Sequence, residues 1–303
     1  MGGFARLRNY RLSPGGRTWL GRGIALVGYG LLASILWSVG IYGAGGSGGY
    51  DAAAYWEAAR RAAAGLPLYE PLGTGYGAYG AYLYPPLFAQ LLVPFSTLPL
   101  AAFVWGWRAL ELLCLRIAVG SWTRAGWMLL FPPVIAELDA GNVHLPLAAV
   151  AAMAMRGNGL PVFPATIMKF ASVTLAPVTF VRDRRTLFVG AGMLAVGLAV
   201  SFAVSAPSWF AYADFVRALP TPAGFWAIGE EVPLVLRLAI ACAIGLLAVR
   251  WVRLAPAAVM LALPIVWIAS LSILVAVFAP LRATAHAPSE TALAWRARFG
   301  AAT

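Results

Sequence analysis

The chain has 303 residues, 61% of them hydrophobic and only 11% charged, and its mean hydropathy is +0.80. A soluble domain carries about 25% charged residues, so a water-soluble globule is excluded and an all-α polytopic membrane protein is expected. The net charge of +11, from 22 basic and 11 acidic residues, reads as membrane topology rather than nucleic-acid binding, because Arg gathers in short cytoplasmic loops.

Residues 1–22 carry five arginines and no acid, which marks a basic cytoplasmic N-terminus. The apolar block 23–42 is too long for the core of a signal peptide and long enough to span a bilayer. The polar, Gly-rich stretch 45–86 then falls on the outer face, within a loop spanning 44–99. Residues 52–64 read as a short interfacial helix, with Asp51 in the N-cap position and Gly65 and Pro67 ending it. A tyrosine-rich turn follows, with Tyr76, Tyr79, Tyr82 and Tyr84. Residues 85–99, interrupted by Pro94, are expected to form a second interfacial or shallow re-entrant helix.

Residues 100–119 form the next full span, closed on the inside by Arg116 and Arg124. A third span, 125–138, is kinked at Pro132-Pro133 and returns to the outer face at Glu137–His144. A fourth ends inside at Arg156. Residues 159–181 have cytoplasmic flanks at both ends, so two half-helices turning near Lys169, the only lysine of the chain, are predicted. An outward span at 186–206 leads to a second outer loop, 207–232, rich in aromatics that read as interfacial anchors. Residues 233–249 return inward. Residues 254–280 are either one span or a broken hairpin, and the tail 281–303 is assigned to the cytoplasm. The transmembrane domain thus covers 23–280 as a single unit. Cys114 and Cys242 lie in apolar runs and read as small packing residues rather than a disulfide.

Three clusters converge on the outer side. Asp51 is either a plain helix cap or a fixed, ionised carboxylate fit to act as a general base. Arg60 and Arg61 either snorkel to lipid headgroups or bind a lipid phosphate. Glu137, Asp139, Asn142 and His144 are either ordinary loop residues or a place for substrate or a divalent cation, although their spacing matches no strict metal motif. Lys169 stands at membrane depth, where a cation is costly and functional by default; an anionic lipid phosphate would compensate it. No cofactor is firmly indicated.

Gly49-Tyr50-Asp51 with Tyr55, Ala58-Ala59, Gly65, Leu68-Tyr69 and Tyr84-Pro85-Pro86-Leu87-Phe88 resembles the opening of the GT-C glycosyltransferases, in particular glycosyltransferase family 87. Phe131-Pro132-Pro133 followed by Gly141-Asn142-Val143 resembles that family's proline pair and its Gly-Gln/Asn-Val segment. The resemblance implies a GT-C-like helix bundle in the bacterial plasma membrane. It implies transfer of a sugar, often mannose, from a polyprenyl-phosphate donor to an extracytoplasmic lipid, glycan or protein acceptor, with inversion. By the same resemblance Asp51 matches the catalytic base and Lys169 a donor-phosphate contact. A later polar motif of the family is reduced here to Pro264-Ile265-Val266-Trp267, with Ile268 and Ala269 in place of polar residues. A carrier or flippase for lipid-linked sugars, and a non-catalytic membrane subunit, are the competing readings.

Overall fold

The computed structural model describes residues 14–42, 48–69, 82–218, 227–228 and 232–281. Glu70, Tyr76, Tyr79, most of 219–231 and the tail from Arg282, with its His286 and Glu290, lie outside the described residues, as do the first arginines. What is described is almost entirely helical. The helices are α1 (Pro14–Tyr42), α2 (Tyr50–Ala63), α3 (Pro86–Leu92), α4 (Leu100–Val119), α5 (Trp122–Met128), α6 (Pro132–Ala140) and α7 (His144–Met155). They continue as α8 (Ala176–Val204), α9 (Ala206–Ala218), α10 (Leu234–Leu247) and α11 (Ala255–Leu261). Tighter 3₁₀ turns cover Pro164–Ile167, Phe170–Leu175 and Ile268–Phe278. Strands β1 (Ala227–Ile228) and β2 (Val266–Trp267) form one short antiparallel pair, Ala227 opposite Trp267 and Ile228 opposite Val266.

Among the described residues two stretches are long and apolar enough to cross a membrane, Gly15–Ile35 and Phe170–Val204. Two bent pairs are long and apolar enough only when taken together: Pro86–Phe95 with Leu100–Val119, turned by 112°, and Pro132–Ala140 with His144–Met155, turned by 119°. α8 leaves Phe188, Val196 and Val200 at least half exposed, an outward apolar surface suited to lipid rather than water.

Helix α7 is the axis of the fold. Its sequence is apolar all round, and every side chain from His144 to Met155 except Met153 is buried, as expected of a helix enclosed on all sides. α4 and the 3₁₀ segment Ile268–Phe278 pack directly on it.

Several expectations are corrected by chain chemistry. The span at 125–138 is two short helices, because Pro132 and Pro133 cannot donate to the preceding turn and instead start α6. Over 159–181 a 3₁₀ turn at Pro164–Ile167 and another at Phe170–Leu175, which runs on into α8 from Ala176, flank Lys169 in extended backbone. The outward span begins after a break at Asp183, whose carboxylate accepts from the Thr186 N–H at 3.2 Å and so caps the new segment. The stretch 184–204 then measures about 30 Å at 1.5 Å per residue, one hydrocarbon thickness. The first half of the loop expected at 207–232 is helical, as α9. The block 254–280 is broken, with α11 separated from the last 3₁₀ segment by β2. Cys114 is buried, but Cys242 is exposed on α10 and does not pack in the core.

α1 lies against α5 through small residues. A Cβ at Gly28 would fall on the Gly126 carbonyl oxygen, whereas one at Gly30 meets nothing within 4 Å. Gly28→Ala is expected to cost about 1–3 kcal/mol through this clash, while Gly30→Ala stays neutral or gains up to about 1 kcal/mol of helix propensity. Thermal unfolding of the two variants in detergent checks the contrast.

Candidate active site

The site is built where α2 meets the turn between α6 and α7. Gly49 precedes α2 with φ +79°, and its N–H donates to the Asp139 carbonyl at 2.5 Å. Gly141, at φ +70°, ends α6, and a Cβ there would press on the Ala52 Cβ. Both positions need the left-handed conformation that glycine adopts without penalty, and together they bring Asp51 beside Asn142. The N-cap of α2 is Gly49, and no side chain caps it. The expectation of Asp51 as cap is therefore corrected: Asp51 sits inside the first turn, and its carboxylate turns to Asn142.

Asn142 Nδ2 donates to Asp51 Oδ2 at 2.5 Å. Its orientation is fixed from the other end. Asn142 Oδ1 accepts from the Val143 N–H at 2.7 Å and the Tyr84 hydroxyl at 3.2 Å, with the Tyr55 hydroxyl oxygen 3.5 Å away. An oxygen with those donors around it leaves the NH₂ group to face the carboxylate. Behind it, Tyr55 and Tyr84 share a 2.8 Å hydrogen bond, and the Tyr55 ring meets Tyr84, Phe88 and Trp107 edge-on at 5.0–5.2 Å. Trp107 Nε1 donates to the Asn142 carbonyl at 3.1 Å. This aromatic wall packs the buried face of α2, formed by Ala52, Tyr55, Ala58 and Ala59.

Lys169 reaches the same place. Its Nζ lies 4.8 Å from the centre of the Tyr84 ring, a cation–π contact. Burial pushes the Asp51 carboxyl up to about 7. The positive charge of Lys169 and the Asn142 amide work against that rise, and the Glu137 carboxylate adds to it. A carboxyl poised near neutrality is suited to take and release a proton.

Glu137 and His144 form a separate, fully buried chain. Glu137 Oε1 accepts from the His144 backbone N–H at 2.5 Å, and Oε2 lies 2.7 Å from His144 Nδ1. Glu137 thus closes the start of α7 and orients the imidazole, whose Nε2 is 3.1 Å from Ser270 Oγ. Ser270 in turn accepts from the Trp267 N–H at 3.1 Å. Both Glu137 oxygens are taken up by one residue, and Asp139 is not drawn toward them. Among the described residues no three His, Cys, Asp or Glu side chains gather as a metal site.

Arg60 and Arg61 are not brought to Asp51. Nine residues at about 100° each place Arg60 on the opposite side of α2. Its guanidinium stacks on Trp56 at 4.8 Å and pairs with Glu57 at 3.8 Å. Arg61 pairs with Glu57 at 3.4 Å. Asp139 supplies backbone contacts, and its Oδ1 is buried without a hydrogen-bond partner among the described residues.

Sequence reasoning gave no orienting role to four contributors. Tyr55 and the buried hydroxyl of Tyr84 orient Asn142. Ser270 completes the histidine chain. Arg108, buried within α4, donates to the Leu138 carbonyl at 3.1 Å and holds the end of α6. A second charged group, Glu111, is fully buried, with both oxygens unpartnered among the described residues. The signal for Arg108 and Glu111 was present: ionisable residues inside an apolar span are exceptional by cost alone.

The fold and site define a membrane-associated all-α protein that encloses a carboxylate, its amide partner and a cation at one point. The chain belongs to glycosyltransferase family 87, whose family model matches residues 82–302, most of its length; it is a glycosyltransferase. No curated protein and no solved structure matches it. The matched region includes Tyr84, Asn142, His144 and Lys169 and begins after Asp51.

The raised Asp51 carboxyl has a consequence for stability. Its folded value lies above its ordinary value, so the stabilisation from binding that proton is complete at acid pH. It is lost as pH rises through about 7. Asp51→Asn is expected to remove that loss, so that the variant exceeds the natural chain in thermal midpoint at pH 8 by more than at pH 4. Unfolding scans across that range check it.

Proposed function

We propose that the protein transfers a sugar from a polyprenyl-phosphate donor, mannose being the first to test, to a hydroxyl acceptor on the extracytoplasmic side of the membrane. The observation that carries this reading is the meeting of Asp51, held by Asn142, with Lys169 at the edge of an apolar helix bundle. Ionised Asp51 takes the proton of the acceptor hydroxyl as its oxygen attacks the anomeric carbon. The bond from that carbon to the phosphate oxygen breaks with inversion, and the polyprenyl phosphate departs with the bonding pair. Lys169 stabilises the charge gathering on the leaving phosphate, an effect strengthened where water is excluded. A lipid-borne donor needs no cytosolic nucleotide-binding domain.

Topology supports the same assignment. The arginines at 17, 22, 116, 124, 156, 182, 184 and 185 fall where cytoplasmic turns are expected, which leaves α2 and the α6–α7 turn outside. The phosphate contact is given to Lys169 rather than to Arg60 or Arg61, because Lys169 meets the Tyr84 ring beside Asn142, whereas those two pair with Glu57.

Purified protein with a polyprenyl-phosphate sugar tests the reading. Asp51→Asn should lower transfer by roughly 10²–10⁴-fold, the usual worth of a general base, while donor binding is retained. Near-normal transfer by that variant overturns the mechanism; a natural chain that binds the donor but transfers no sugar favours a carrier, which needs no base. Lys169→Met should weaken donor binding by about tenfold or more, as loss of a charge-assisted phosphate contact does. The rate of the natural enzyme should rise with pH through about 7 and level off above it, because only ionised Asp51 accepts the proton.

A further inference from the structure

Tyr84 touches both halves of the site. Its hydroxyl lies 3.2 Å from Asn142 Oδ1 and 2.8 Å from the Tyr55 hydroxyl, while the Lys169 ammonium stands 4.8 Å from its ring centre. The orientation of Asn142 uses only the hydroxyl. The ring itself has little room to move. It is buried, and the rings of Tyr55, Tyr82 and Phe88 brace it at 5.0–5.8 Å. Its backbone is fixed as well. Tyr69 donates to the Tyr84 carbonyl and Tyr82 to the Pro85 carbonyl, both at 2.8 Å, and Pro86 opens α3.

Lys169 and Asp51 are near enough to interact, since the Lys169 charge holds the Asp51 carboxyl down against the effect of burial. Yet no ion pair within 4.0 Å joins them among the described residues. That separation needs a cause. A lysine stem is long and flexible, and opposite charges attract strongly where water is excluded. Unrestrained, the ammonium would close on the carboxylate. The closed pair would spoil both roles. An ion-paired carboxylate is a weaker base, and the ammonium would have to leave it to meet a phosphate. An aromatic face attracts a cation without neutralising it.

We propose that the Tyr84 ring is a spacer that holds Lys169 off Asp51, leaving the ammonium to the departing phosphate and the carboxylate to the acceptor hydroxyl. Tyr84 is thus a positioning residue for both. The use made of the two groups rests on the transfer reading above; the spacing itself does not. The other titratable groups that face Asp51 are Glu137 from α6, Glu111 from α4 and the Tyr55 and Tyr84 hydroxyls, none of them a cation. Arg108 and His144 are turned to the Leu138 carbonyl and to Glu137.

The test is nuclear magnetic resonance of the full chain in detergent micelles, without substrate. Lys169 is the only lysine, so a label at the lysine ε-carbon gives one resonance. Carboxyl-labelled aspartate gives four, of which Asp51 is the one missing from Asp51→Asn. In the natural chain the Lys169 ε-methylene protons should lie upfield, shielded by the Tyr84 ring, and Asp51 should titrate near 7. Tyr84→Phe keeps the ring and should preserve both. In Tyr84→Leu the upfield shift should vanish, and the acid constant of Asp51 should rise about tenfold or more, as an opposite charge at contact produces. With Lys169→Met added to Tyr84→Leu, that rise should be absent. Unshifted lysine protons in the natural chain overturn the spacer, and that measurement needs no variant to fold. An Asp51 acid constant unchanged in Tyr84→Leu, or raised as much without Lys169, overturns it as well. The spectra need neither donor nor turnover, so their failure is distinct from near-normal transfer by Asp51→Asn, which would overturn the transfer reading alone.

Discussion

The short bond between Asn142 Nδ2 and Asp51 Oδ2 is the contact on which the site depends. A carboxylate at the edge of a membrane fold is expensive, and an amide that could turn either way would offer it an oxygen as readily as a proton. The Val143 amide and the tyrosine hydroxyls remove that freedom by saturating the Asn142 oxygen. Everything nearby serves the same placement. Gly49 and Gly141 allow the two turns to touch, Trp107 holds the Asn142 carbonyl, and Arg108 ties down the end of α6.

A second network, Glu137–His144–Ser270, binds the turn to the C-terminal part of the bundle. It joins α7, the central helix, to the short strand at Val266–Trp267, which itself pairs with Ala227–Ile228. Ser270, three positions beyond Trp267, reaches back to the His144 imidazole. Glu137, His144 and Ser270 are thus satisfied by one another rather than by solvent, as a low-dielectric interior demands.

Much of the scaffold was legible in the sequence. Residues 100–119 read as a helix with the bounds it has, because Pro99 and Gly120 delimit an uninterrupted apolar run. The Gly65 stop after α2 and the bend after residue 95 followed from ordinary Gly and Pro chemistry. Lys169 stood out as a lone cation in an apolar stretch and does reach the site. Other features could not be read in that way. Whether Asp51 or Gly49 caps α2 depends on a backbone conformation made favourable by the distant Asp139 carbonyl. α9 was hidden because its aromatic and polar residues read as an interfacial loop. The pairing of Tyr55 with Tyr84, and of His144 with Ser270 at a separation of 126 residues, is tertiary and leaves no local periodicity. Arg60 and Arg61 drew attention by charge, yet helical phase alone places Arg60 on the far face from Asp51.

The central claim is that donor phosphate and sugar meet between Lys169 and Asp51. A cryo-electron microscopy structure with a non-transferable polyprenyl phosphonate sugar tests it most directly. The account predicts the phosphonate within about 3 Å of Lys169 Nζ, hydrogen-bond range, with the anomeric carbon facing the Asp51 carboxylate. A phosphonate held by Arg60 or Arg61, with Asp51 turned away from the sugar, would contradict it.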